Sequence, residues 1–120
     1  MRSVISFAFV FWMVVIIITA GGCRYDKQEF IPCSDISDTL KKFNASVSHI
    51  IQNNCAKSPD CHARGGLSGV EFTNYTQIRA NVDRIRLRAV VQQTMPAAGP
   101  LPPLEIAKIR CWIDNGAKDD

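Results

Sequence analysis

The chain has 120 residues, a formal net charge of +3 and a hydrophobic fraction of 47%. Its basic residues are spread along the sequence, apart from Arg84, Arg86 and Arg88, so charge does not indicate a nucleic-acid partner. A chain of this length is expected to hold one small domain with a modest core.

The first 22 residues are predicted to be an export signal. Arg2 precedes an almost unbroken apolar run from Val4 to Ile18. The ending Ala20-Gly21-Gly22-Cys23 resembles the lipobox of bacterial lipoproteins, which are cut just before a cysteine that then carries the lipid. The alternative is an uncleaved membrane helix, although the apolar run is at the lower limit of length for a bilayer span.

This resemblance implies a lipoprotein signal peptide over residues 1–22 and lipidation of Cys23. Residues 23–44 are then expected to form a polar tether, and residues 45–120 the folded domain. The protein would be anchored in the bacterial cell envelope, facing the periplasm. Arg24 is not the aspartate that retains lipoproteins in the inner membrane, so the outer membrane is favoured.

Four cysteines follow Cys23, namely Cys33, Cys55, Cys61 and Cys111. The exported compartment is oxidising, so unpaired thiols would be unusual there. Four cysteines allow three disulfide pairings, and thioether bonds to haem are a further outcome.

The first predicted helix spans Ser46 to Asn54, with Ser46 as its cap. Its apolar stripe consists of Val47, Ile50, Ile51 and Cys55. The glycine-rich segment from Gly65 to Asn74 is predicted to be turn and irregular chain.

A second helix is predicted from Asn74 or Thr76 to about Val91, with an apolar stripe of Tyr75, Ile78, Val82 and Ile85. The proline-rich segment from Thr94 to Pro103 must be a loop. A third helix is predicted from about Pro103 to Asn115, with Gly116 suited to its C-terminal cap. Its apolar face consists of Ile106, Ile109 and Ile113, with Cys111 and Trp112 beside it. No strong strand signal occurs, so the predicted class is all-α with about three helices and long loops.

The stretch "CAKSPDCHARGG", from Cys55 to Gly66, contains the candidate cofactor-binding residues. Cys61 and His62 are adjacent, as in the haem attachment motif C-x-x-C-H, but five residues separate Cys55 from Cys61. Three interpretations stay open. The stretch is a haem site with a longer loop, a disulfide loop closed by Cys55 and Cys61, or a zinc site that also uses His62 and a fourth ligand.

The order of these parts resembles class I cytochromes c, and more closely small bacterial cytochrome c-like domains of the planctomycete type. The resemblance extends from about Val47 to Ala117. The matching residues are Cys61-His62, Gly65-Gly66-Leu67, Tyr75, Met95-Pro96, Glu105-Ile106, Ile109, Trp112-Ile113 and Gly116-Ala117.

The resemblance implies one covalent haem c, attached through Cys55 and Cys61, with His62 and Met95 as the axial ligands of the iron. Met95 is the only methionine after Cys23, and the alternative is that it merely packs in a loop or in the core. The resemblance also implies a Cys33–Cys111 disulfide, because class I cytochromes pack their first and last helices together.

The expected function is therefore that of a lipid-anchored monohaem cytochrome, which carries single electrons between redox partner proteins of the envelope. An enzymatic role is not expected, because a six-coordinate iron leaves no open position for a substrate. The competing hypothesis is a haem-free adaptor or binding lipoprotein in which the cysteines serve only as disulfide staples.

Overall fold

A computed structural model describes residues 29–120 of the chain. The predicted signal peptide over residues 1–22, the predicted lipid attachment at Cys23 and the first residues of the predicted tether lie outside this range. Among the described residues, no helix is both long and apolar enough to cross a membrane.

The first half of the described chain contains short helical turns and one α-helix. Two 3₁₀ turns, Cys33–Asp35 and Asp38–Lys41, lead to a π-helical turn at Phe43–Val47. Helix α1 (Ser48–Asn54) continues directly from this turn.

The second half contains three α-helices. Helices α2 (Tyr75–Ala80) and α3 (Val82–Ile85) are followed by a π-helical segment, Arg86–Val91. Helix α4 (Pro103–Asp114) comes last. No strand occurs between residues 29 and 120, so the predicted all-α class is confirmed for this part of the chain.

The first helical region begins earlier than predicted. Val47, Ile50 and Ile51 are buried, as their stripe predicts, but Ser46 lies inside the π-helical turn and does not cap the helix. Phe43 is buried too, and it extends the same apolar stripe by one turn towards the N-terminus. Burial of Phe43 therefore favours a start upstream of the polar residue that resembles a cap.

The second predicted helix is divided at Asn81. The Oδ1 atom of Asn74 accepts a hydrogen bond from the backbone N–H of Gln77 at 3.0 Å, so Asn74 is the N-cap. The side chain of Asn81 donates to the Gln77 carbonyl at 2.9 Å. This side-chain hydrogen bond competes with the backbone hydrogen bonds of a continuous helix, and the helix is interrupted at Asn81, between α2 and α3.

Helix α4 lies at the centre of the fold. Ile109, Cys111 and Trp112 are almost fully buried, whereas Ile113 is half-buried, so the buried face is rotated from the predicted one towards Cys111 and Trp112. Pro103 occupies the first turn, where its missing N–H is not needed.

An aromatic cluster joins α4 to the first two helical regions. The ring of Phe43 lies 5.5 Å from that of Trp112 and 5.1 Å from that of Tyr75. The Tyr75 hydroxyl donates to the Ala117 carbonyl at 2.9 Å, and the Trp112 indole N–H donates to the Lys118 carbonyl at 2.8 Å. Phe43 and Trp112 are therefore buried and Tyr75 partly buried, while the polar atoms of Tyr75 and Trp112 are satisfied by the C-terminal tail.

Cys33 and Cys111 form a disulfide across 78 residues of sequence, with Cα atoms 5.6 Å apart. This is the pairing that the cytochrome resemblance implied. Ile36, Ala107 and Cys111 are buried together around it. Closure of so long a loop contributes roughly 4 kcal/mol to stability in the chain-entropy model.

The disulfide holds part of the segment expected to be a tether against α4. Ile36 is buried, and the ammonium of Lys41 donates to the Cys33 carbonyl at 3.1 Å. The packed part of the described chain thus begins well before residue 45, because Cys33, Ile36 and Phe43 pack in the core clusters. The surrounding sequence is mostly polar and gives no sign of this packing.

Candidate functional site

The stretch from Cys55 to Gly66 forms a closed loop at the end of α1. The N–H of Cys55 still donates to the Ile51 carbonyl at 2.8 Å, so Cys55 completes the last helical turn. The N–H of His62 donates to the Cys55 carbonyl at 2.9 Å, and that of Cys61 donates to the Ser58 carbonyl at 3.0 Å. The five-residue spacer is therefore looped out, and Cys55 lies beside the Cys61-His62 pair.

Both cysteines of this loop carry free thiols. The Ser58 hydroxyl donates to the Cys61 sulfur at 3.3 Å. Burial, together with nearby negative charge at Cys61 and Glu105, raises the pKa of Cys55 to about 11. The predicted alternative of a Cys55–Cys61 disulfide is thus not the state that the structure shows.

His62 is held by three contacts. Its Nδ1 atom lies 2.9 Å from the Val70 carbonyl oxygen and 3.1 Å from the Ser68 hydroxyl, and its ring stacks on buried Phe72 at 4.3 Å between centroids. A carbonyl oxygen can only accept, so the Val70 contact is a hydrogen bond only when Nδ1 carries the proton. In the neutral ring, the lone pair is then on Nε2.

The segment that holds His62 was predicted only as irregular chain. The N–H of Phe72 donates to the His62 carbonyl at 2.9 Å, and the Gln52 side chain on α1 donates to the Phe72 carbonyl at 2.7 Å. These bonds bring Ser68, Val70 and Phe72 back over the loop. Sequence reasoning missed these three residues, because such contacts follow no helical or strand period.

Glu71 ties the same segment to the loop. Its carboxylate accepts from the Gly65 N–H at 2.7 Å and from the Gln77 side chain at 3.1 Å. The hydrogen bond from Gly65, followed by that from Gln77, lowers the pKa of Glu71. The carboxylate therefore stays charged at neutral pH and connects the loop to α2.

Met95 lies in a different loop, after the π-helical segment. Its backbone N–H donates to the Arg88 carbonyl at 3.2 Å, and the residue is 41% exposed. The structure therefore unites Cys55, Cys61 and His62 in one loop and leaves the Met95 thioether at the surface of another.

Large apolar side chains are exposed in several segments of the chain. Those that lie in or next to the matched motifs or in the π-helical segment are Leu67 (84% exposed), Leu87 (47%), Val91 (66%) and Leu104 (45%). Leu104 precedes Glu105, which accepts a hydrogen bond from Asn54, next to Cys55, at 3.4 Å. The start of α4 thus lies close to the cysteine loop.

The side chains of Cys55, Cys61 and His62 can be compared with the needs of a zinc site and of a haem site. Within residues 29–120, no group of three or more His, Cys, Asp or Glu side chains is arranged to hold a metal ion, so zinc gains no support. Two thiols beside a histidine that presents Nε2 fit a covalently attached haem, because these are the groups that thioether attachment and axial ligation use.

No family model, curated protein or solved structure was found to match the chain.

Proposed function

We propose that the protein is a c-type monohaem cytochrome that carries single electrons in the bacterial cell envelope, anchored through a lipid on Cys23. The observation that carries this proposal is the arrangement of His62. Its Nδ1 is bonded to the Val70 carbonyl, while Cys61 precedes it in sequence and Cys55 lies beside it in space.

His62 has the contacts of a metal-ligating histidine. Ligating imidazoles commonly donate their second N–H to a backbone carbonyl, which fixes the tautomer and raises the basicity of the other nitrogen. The bond from Nδ1 to Val70 at 2.9 Å has this form. In this proposal, His62 would hold the haem iron through Nε2.

The state of the cysteines supports the same function. Cys33 and Cys111 are joined to each other, which leaves Cys55 and Cys61 as the free thiols of the described chain. Covalent attachment would use both thiols, each sulfur bonding one carbon of a porphyrin vinyl group while the thiol hydrogen goes to the other carbon. Neither thiol of the loop is consumed by a disulfide in the described chain.

The exposed apolar side chains are compatible with a bound haem. Leu67 follows the cysteine loop, and Leu87 and Val91 project from the π-helical segment. A bound haem offers a large apolar face to such side chains and supplies a one-electron iron centre.

Met95 is the proposed distal ligand. The residue is 41% exposed, and it is the only methionine after Cys23. Histidine and methionine together raise the reduction potential of a haem and suit an electron carrier. The partners would then be redox proteins of the envelope.

The absorption spectrum of purified protein tests this function. The chain should be produced in a bacterial envelope together with haem c maturation proteins, and the His62→Ala variant compared with His49→Ala. His49 is the other histidine and is exposed on α1, so its variant is a matched control. Wild type and His49→Ala should be red with the spectrum of a low-spin haem, whereas His62→Ala should lose that spectrum.

A colourless wild-type protein, under conditions in which a known c-type cytochrome matures, would contradict the proposal. That result would favour the haem-free adaptor or binding lipoprotein.

A further inference from the structure

We propose that Ser68 is a positioning residue that aligns the Val70 carbonyl with Nδ1 of His62, so that His62 is prepared to use Nε2 as a ligand before any cofactor is present. The relevance to iron rests on the proposed function. The role of Ser68 in the free protein does not depend on it.

The Ser68 hydroxyl contacts the backbone on both sides of the Val70 α-carbon. It donates to the Val70 carbonyl at 2.9 Å and accepts from the Val70 N–H at 3.4 Å. Gly69 between them has φ +69°, a left-handed conformation that lets the chain turn back towards the hydroxyl. Ser68 therefore restrains the backbone conformation of Val70.

The restrained carbonyl faces the histidine ring. Its oxygen lies 2.9 Å from Nδ1, and the Ser68 hydroxyl lies 3.1 Å from the same nitrogen. A carbonyl has two lone pairs and can accept from both Nδ1–H and the hydroxyl. The alternative tautomer, with the proton on Nε2, would set the Nδ1 lone pair against the carbonyl oxygen.

Phe72 completes the site by fixing the plane of the ring. It is buried, and it stacks on His62 with 27° between the planes. Ring plane and tautomer are therefore set by different residues, Phe72 and Ser68, and the two effects can be separated by substitution. Ser68 is exposed, so its replacement leaves the core packing intact.

Nuclear magnetic resonance of the full-length chain, produced without haem maturation proteins and with ¹⁵N-labelled histidine, tests the proposal. The chain has two histidines, and exposed His49 serves as an internal control. In its neutral form, the His62 ring should carry its proton on Nδ1. That proton should exchange with water more slowly than the ring proton of His49.

Substitutions of Ser68 then test whether this residue slows the exchange of the His62 Nδ1 proton. In Ser68→Ala, exchange of the His62 Nδ1 proton should be about tenfold faster, the equivalent of losing one hydrogen bond. Ser68→Thr keeps the hydroxyl and should exchange within about twofold of wild type. Ser34→Ala removes another exposed hydroxyl, which bonds Asp35, and should change nothing.

A His62 proton on Nε2 in the wild type, or unchanged exchange in Ser68→Ala, would overturn the proposal. Protein loaded with haem gives an independent readout. Weakening the Nδ1 bond makes the imidazole a poorer donor, so Ser68→Ala should raise the reduction potential while Ser68→Thr and Ser34→Ala should not. A chain that takes up no haem would refute the proposed function, and the exchange measurement would still decide the role of Ser68.

Discussion

Gly66 lies where three backbone carbonyl oxygens of the cysteine loop converge. A Cβ atom at this position would lie 2.7 Å from the Cys61 oxygen, 2.8 Å from that of Pro59 and 2.9 Å from that of Ala63. All three neighbours are backbone atoms of the loop, which cannot give way as a flexible side chain can. Only glycine fits here without displacing the backbone of the cysteine loop at Pro59, Cys61 or Ala63.

Gly66→Ala should therefore lower the free energy of unfolding by about 1–3 kcal/mol, as overpacking typically does. The loop should also open, so that Cys61 reacts faster with a thiol reagent. Gly65→Ala is the matched control, since a Cβ there meets no atom within 4 Å, although φ of +68° costs about 1 kcal/mol. Thermal unfolding and rates of thiol labelling measure both effects. Equal behaviour of the two variants would contradict the role given to Gly66.

Cys55 should be the slow thiol of the folded, haem-free protein. Burial raises its pKa to about 11 from an ordinary 9.0, so the reactive thiolate fraction at pH 8 is ~100-fold lower than that of an unperturbed thiol. Alkylation with iodoacetamide, followed by mass spectrometry of the Cys55 peptide, measures this rate.

The pH dependence of the Cys55 rate has a defined sign. In the folded protein the rate should keep rising from pH 9 towards about 11, whereas in denaturant, with the disulfide intact, it should level off near 9. Because the folded state holds the proton more tightly, Cys55 favours folding fully below pH 9 and progressively less as pH rises to about 11. Equal rates for Cys55 in folded and unfolded protein would contradict its burial.

At the scale of elements, the Cys33–Cys111 bridge holds the N-terminal 3₁₀ turns against α4. Replacing both cysteines by alanine should lower the free energy of unfolding by about 3–4 kcal/mol, because the loop that the bridge closes is long. Denaturant titration measures the loss. Wild-type protein reduced before unfolding should lose a similar amount, which controls for the buried side chain that the substitution removes.

The pairing itself can be tested separately. Alkylation of the unreduced, denatured protein should leave Cys33 and Cys111 unmodified. Free thiols at both positions would contradict the pairing.

Helices with a strong apolar stripe could be predicted from sequence, and weaker local signals could not. The stripe of Ile106 and Ile109 defined α4 within one residue, because a regular period and proline at the start agree. Ser46 misled the prediction of a helix start, since burial of Phe43 outweighs the preference of serine for a cap. Ile36 packs on α4 beside a disulfide that joins Cys33 to Cys111, 78 residues away. Local sequence patterns cannot predict a contact between such distant residues.

Some residues of the candidate site could likewise be predicted from the sequence, and others could not. Cys55, Cys61 and His62 could be singled out because reactive side chains lie near one another in sequence. The Ser68 hydroxyl and the Val70 carbonyl act through the return of an irregular segment, and a backbone carbonyl has no signature in the sequence.

At the scale of the whole molecule, Met95 should determine how the haem-loaded protein works. Met95→Ala should remove the weak far-red band of the oxidised iron–sulfur bond, lower the reduction potential and open the iron to carbon monoxide. Met95 is exposed, so the free energy of unfolding of the haem-free protein should change by less than about 0.5 kcal/mol. Gln92→Ala, at another exposed position shortly before Met95, should leave spectrum and potential unchanged.

Absorption spectra and redox titrations of the wild type, Met95→Ala and Gln92→Ala measure these effects. An unchanged potential in Met95→Ala would show that another group is the distal ligand. Ready binding of carbon monoxide by the wild type would show an open iron, and would contradict simple electron carriage.

The most direct test of a covalent haem is the mass of the protein recovered from the cell envelope after production with haem c maturation proteins. We predict the added mass of one haem, carried by the peptide that contains both Cys55 and Cys61, with no iodoacetamide label on either sulfur after reduction. A chain without haem mass, in which Cys55 and Cys61 are joined as a disulfide or remain free thiols, would contradict the account.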